Sequence, residues 1–130
     1  MLPTLSTLGD YIFIDKLSSE KSYRKGRVVI AKPQKLFFPN YEKKRNYKVC
    51  KRIVGEPNEI INVPFIIDDI MDGQFVSYIQ YYKVQVPEGH VWLQGDNIYD
   101  SVDSRDYGPV PIKDICGIVR LKLWPKIKFL

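Results

Sequence analysis

The chain has 130 residues, with 20 Lys and Arg against 15 Asp and Glu, one His and two Cys. This length fits a single domain, 1–130, and a composition 45% hydrophobic and 13% aromatic excludes a disordered chain. A net charge of +5, with both signs mixed along the sequence, is a weak guide to an anionic partner. One His with the widely separated Cys50 and Cys116 argues against a zinc site, and the two thiols are expected to be free and buried.

Short β-branched and aromatic segments recur between turn signals. Residues 10–16, 27–31, 47–54, 59–63, 75–86, 90–94 and 115–123 are expected to be strands, each bounded by Gly, Pro, Asn or Asp. Residues 33–45 read as an exposed loop, and 66–73 as another, its Asp-Asp-Ile-Met-Asp-Gly run supplying turn residues. No window sustains a 3.6-residue apolar period, so helix is confined to a turn over residues 111–115. The fold class is therefore all-β, one compact antiparallel domain with little helix. No stretch approaches the ~18 consecutive apolar residues of a membrane span.

Three features carry possible chemistry. Lys51 sits inside the apolar strand Val49 to Gly55, where alternation places it on the face of Val49 and Ile53. Taking an ammonium out of water disfavours its charged form, which is how a lysine becomes a base; the competing reading has Lys51 reaching solvent beside Arg52. The second feature is the polar loop after the apolar strand ending at Gln94. It runs through Gly95, Asp96, Asn97, Ser101, Asp103, Ser104 and Arg105 to Gly108 and Pro109, and Asp103 with Arg105 is suited to a charge-assisted pair. The third is the start, Met1-Leu2-Pro3-Thr4, which says little by itself.

In this order the three features resemble the signal peptidase I family of serine peptidases, over nearly the whole chain. Met1, Pro3 and Thr4 are similar to the part of the nucleophile box that follows the serine. Lys25-Gly26-Arg27-Val28-Val29 resembles the box before the catalytic lysine, and Lys51-Arg52-Ile53-Val54-Gly55 the lysine box itself. Gly95-Asp96-Asn97, Ser101, Asp103-Ser104-Arg105 and Gly108-Pro109 resemble the last box position by position. Departures fall at Glu56-Pro57-Asn58-Glu59 and at Ile98. Within the family, the short spacer between Lys51 and Gly95 and the phrases Gly89 to Leu93 and Leu123 to Pro125 look most like the mitochondrial inner membrane members.

The resemblance implies a catalytic core of signal peptidase type that cleaves sorting presequences with a Ser-Lys dyad and no cofactor or metal. It implies Lys51 as general base, Ser101 orienting the amine, Asp103 paired with Arg105, and Asp96 and Asn97 bracing the same turn. The family's nucleophilic serine immediately precedes the position of Met1, with a membrane anchor ahead of it. The chain is thus expected to be an N-terminally shortened form, inactive without that serine. The expected partners are polypeptide presequences, a second peptidase subunit, and membrane lipid through the missing anchor, with the catalytic domain facing the intermembrane space. Two other readings compete: a catalytically silent partner subunit, and a basic β module with Lys113, Arg120, Lys122, Lys126 and Lys128 as its footprint. No nucleic acid partner is expected.

Overall fold

A computed structural model describes residues 1–6, 9–34 and 48–130. Most of the loop expected over 33–45, and Tyr47 at the start of the third strand, lie outside the described residues. The strands are β1 (Tyr11–Asp15), β2 (Val28–Ala31), β3 (Val49–Gly55), β4 (Ile60–Met71), β5 (Gln74–Gln85), β6 (His90–Gln94), β7 (Val110–Pro111), β8 (Ile115–Trp124) and β9 (Lys128–Phe129). One helical turn, α1 (Ser104–Tyr107), interrupts them, and short 3-10 turns occupy Glu20–Ser22 and Ile112–Asp114. The last of these falls where the sequence placed its only helical turn.

All pairings are antiparallel. One sheet runs β1-β8-β2-β3-β6-β7, with β9 added to β8, while β4 and β5 form a separate hairpin. The main core lies on the sheet face that carries Val29, Val49, Ile53, Val91, Leu93 and Ile118, closed by Tyr107 of α1 and Val110. A second cluster joins Val28, Ile30 and Val119 to Ile12, Ile14, Cys50 and Met1 on the opposite face. Both faces of β2 and β3 are thus covered, which explains why Val28 to Ala31 is an unbroken apolar run rather than an alternating one.

The 66–73 segment departs from expectation. Ile66 to Met71 continue β4, and only Asp72 and Gly73 turn, with φ of 50° and 76°. Both residues in the left-handed region make a two-residue hairpin turn, whose twist matches that of the flanking strands. The acidic content suggested a loop, but the tight turn fixes the register and the strands extend to it, from Met71 opposite Gln74 to Ile60 opposite Gln85. The footprint of the basic reading is also partly neutralised: Arg120 pairs with Asp15 at 3.0 Å and Lys122 with Asp10 at 3.2 Å.

Candidate active site

The strand pairing brings the three sequence features together. β3 holds Lys51 between Val49 and Ile53, 6% and 0% exposed, so its stem emerges on the core face and it does not lie out in solvent. Its Nζ donates to Ser101 Oγ at 3.0 Å. Both residues are half-buried.

What makes room for this contact is the absence of a side chain at Gly95, just beyond β6. A Cβ built there would lie 2.1 Å from Ser101 Oγ, 2.6 Å from Ser101 Cβ and 3.5 Å from Lys51 Nζ. The hydroxyl occupies the space any other residue would fill.

Behind Ser101 stands Asp103, which is fully buried and saturated. Its Oδ1 accepts from the Arg105 backbone N–H at 3.1 Å and from Arg105 Nε at 2.9 Å, and its Oδ2 from Gly95 N–H at 3.0 Å and an Arg105 guanidinium nitrogen at 2.9 Å. Burial by itself raises the Asp103 carboxyl, but the Arg105 guanidinium, the Gly95 N–H and the Ser101 hydroxyl outweigh it and hold the group below the usual carboxylate range.

Asp103 also caps α1. Asp106 Oδ2 accepts from the Asp103 N–H at 2.9 Å, completing a reciprocal capping box that satisfies two helix-end donors. Arg105 reaches back to the Ile98 carbonyl at 2.9 Å, and Ser104 Oγ accepts from the Leu93 N–H at 2.9 Å, tying the loop to itself and to β6. Asn97 Oδ1 accepts from the Tyr99 N–H at 3.1 Å within the same turn.

Asp96 faces another direction. It binds Arg52 through both oxygens, at 2.8 and 2.9 Å, and accepts a short hydrogen bond from Thr4 Oγ1. Arg52 in turn donates to the Gly26 carbonyl at 2.7 Å. This carboxylate therefore joins the chain's start to the lysine strand. Burial raises its pKa, but Arg52 and Thr4 carry it below the ordinary value. Burial pushes the Cys50 thiol up. Met1 packs in the cluster that includes Cys50.

The link from Arg52 to Asp96 is not among the sequence expectations, which name Arg52 only within the lysine box and beside Lys51. Pro3 makes no hydrogen bond among the described residues. Cys50 and Cys116 are unpaired and half-buried, and no cluster of metal-ligating side chains occurs among the described residues. No described helix is long and apolar enough to cross a membrane.

A lysine amine is thus held on a hydroxyl above a closed loop whose buried carboxylate is paired with an arginine. The signal peptidase, peptidase S26, family matches residues 68–124, which include the loop from Gly95 to Arg105. Similarity to individual proteins reaches further, across the lysine strand and the start of the chain. Mitochondrial inner membrane protease subunit 1 of Schizosaccharomyces pombe is 39% identical over 128 residues, covering 96% of this chain and 68% of that protein. The human protein of the same name is 35% identical over 131 residues, covering 99% and 67%. Mitochondrial ATP-independent inner membrane protease subunit 1a of Arabidopsis thaliana is 38% identical over 125 residues, covering 96% and 66%. The chain belongs to the signal peptidase S26 family. Within it, the similarity is to subunit 1 of the mitochondrial inner membrane protease, of whose length the chain spans about two thirds.

Proposed function

We propose that this chain is the catalytic core of a serine endopeptidase that removes presequences from proteins delivered to the mitochondrial intermembrane space. Lys51 is its general base, and the nucleophile is a serine directly preceding Met1. The observation that carries the reading is the Lys51 Nζ to Ser101 Oγ contact of 3.0 Å, with the start of the chain tethered to the same strand through Thr4, Asp96 and Arg52.

In this mechanism the neutral Lys51 amine takes the serine proton as Oγ bonds to the substrate carbonyl carbon. The resulting ammonium gives that proton to the departing amine nitrogen as the peptide bond breaks, leaving an ester. Water, deprotonated by the same amine, then attacks the ester and releases the new carboxyl terminus and the serine. Ser101 restrains the amine throughout and lowers the orientation entropy of attack. Asp103 with Arg105, together with Asn97, holds the loop, and Asp96 holds the nucleophile box.

The substrate lies extended, pairing with a free sheet edge, its small side chains entering pockets formed by the described residues between Thr4 and Ile14 and by the lysine strand. β1 supports this placement: it ends the sheet, and its Ile12 and Ile14 share a cluster with Met1 and Cys50. The enzyme is anchored in the inner membrane by a segment ahead of the serine, faces the intermembrane space and works with a second peptidase subunit.

The test is cleavage of a presequence peptide by two proteins, the 130-residue chain and a chain extended upstream through the serine and anchor. Cleavage by the extended chain alone is expected. Equal cleavage by both overturns the assignment of the nucleophile, and none by either overturns the peptidase reading.

A further inference from the structure

Two surfaces play no part in the chemistry above, and they are opposite in sign. The first is the outer half of the β4–β5 hairpin. Twelve residues per strand make a ribbon about 40 Å long. Only its base is packed: Ile61 and Val63, with Val84 and Val86, bear on Trp92 and Val54. Beyond Phe65 no other strand pairs with it among the described residues, and a lone two-stranded ribbon is marginal in water. Its tip exposes Ile70 (61%), Met71 (54%) and Phe75 (90%) beside Asp68, Asp69 and Asp72, none of which has an ion-pair partner among the described residues.

The second surface is the outer side of β8 and β9. Trp124, Ile127 and Phe129 are 60%, 71% and 81% exposed, beside Lys126 and Lys128, which are also exposed and without an ion pair among the described residues. Within one molecule these surfaces stand apart, because the hairpin is rooted against Val54 of β3 and Trp92 of β6 while β2 separates β3 from β8.

We propose that the acidic, apolar tip of the β4–β5 hairpin docks on the basic, apolar β8–β9 edge of a second copy of this chain. The pairing sets three carboxylates against two ammonium groups and apolar side chains against apolar side chains. Made reciprocally about a two-fold axis, it engages six large apolar side chains per protomer, on the order of the roughly 1,000 Å² that a specific interface requires. An anionic bilayer is the less suitable occupant, since it attracts the Lys126 and Lys128 edge but repels the hairpin tip.

Sedimentation equilibrium of the 130-residue chain at low salt is expected to show the mass rising from 15.2 kDa toward twice that value with concentration. The double variants Asp68→Lys/Asp69→Lys and Lys126→Glu/Lys128→Glu replace exposed side chains. Each alone is expected to weaken association by about ten- to a hundred-fold, and an equimolar mixture of the two to restore it as a mixed dimer. A wild-type chain that stays monomeric overturns the proposal. So does a charge-reversed variant that associates as the wild type does, or a mixture that fails to recover. Binding to vesicles of anionic phospholipid by a chain that remains monomeric also overturns it, and assigns the edge to the membrane instead.

Discussion

Replacing Gly95 by Ala isolates the steric requirement of the Lys51–Ser101 contact. The Gly95 backbone is not in the left-handed region, so a Cβ there brings no dihedral strain and its whole effect falls on what it touches. The added methyl meets Ser101 Oγ at 2.1 Å and Ser101 Cβ at 2.6 Å, against an ordinary contact of roughly 3.5 Å, so Ser101 has to retreat by about 1 Å or more. A hydrogen bond that starts at 3.0 Å does not survive that displacement. Overpacking of this kind costs about 1–3 kcal/mol of stability, and misplacing a reacting amine by about 1 Å costs on the order of 100-fold in rate. Urea denaturation of Gly95→Ala, of Ser101→Gly and of the double variant separates the causes. With Ser101 reduced to glycine, the nearest remaining neighbour of the new methyl is Lys51 Nζ, at an ordinary 3.5 Å. Most of the stability lost to Gly95→Ala is therefore expected to be absent in that background, a coupling of about 1–3 kcal/mol. If Gly95→Ala costs as much with Ser101→Gly as without it, the methyl is clashing with something else and the account of the glycine is wrong.

Lys51→Met keeps the length and apolar contacts of a half-buried side chain, so the urea midpoint is expected to stay close to wild type while presequence cleavage by the upstream-extended enzyme disappears; turnover near normal would remove Lys51 from the mechanism. Ser101→Ala is expected to lower kcat by about 10- to 1,000-fold with KM little changed, as for other preorganised hydrogen-bonding groups, and an unchanged rate would leave the loop a purely structural role. Asp103→Asn strands a guanidinium only 8% exposed and is expected to cost about 3 kcal/mol, read from the same urea curves. Burial opposes ionisation of Asp96 and Asp103, but their arginine partners prevail and both carboxyls titrate lower in the folded chain than in the unfolded one. Their stabilisation is thus complete above about pH 4 and is lost as pH falls through the depressed values. Asp103→Asn should flatten that acid limb, and an unaltered pH dependence would show the buried carboxylate to be uninvolved.

How much of this was legible in the sequence depended on the range of the interaction. The face on which Lys51 points followed from alternation over three residues, Val49, Lys51 and Ile53, and the folded strand keeps it. The pairing of Asp103 with Arg105 is likewise local. The helical turn between them and Gly108 was missed, although Asp103 and Asp106 have the spacing of a capping box; four residues are too few for a periodic apolar signal. The hairpin was misread because Asp68 and Asp69 were counted as turn residues, when only Asp72 and Gly73 have the positive φ of a two-residue turn. Nothing local could reveal Asp96 reaching Thr4 and Arg52, because those contacts span 92 and 44 residues and exist only once β3 and β6 have paired.

The same geometry limits which groups at the site can carry a proton. His90 is the only imidazole of the 130 residues. It begins β6, whereas Gly95 follows the end of that strand, and five residues of extended chain place the two roughly 15 Å apart. A Ser-His arrangement therefore has no imidazole to use here. Asp96 and Asp103 each face an arginine through both oxygens and stay ionised at neutral pH, so neither exchanges protons in that range. Arg52 and Arg105 are raised still further from titration, chiefly by those same carboxylates. With both acids committed to their arginines and the imidazole at the far end of the strand, the Lys51 amine is the group to which we assign proton transfer in the proposed mechanism. That follows from where the loop's charges are already spent.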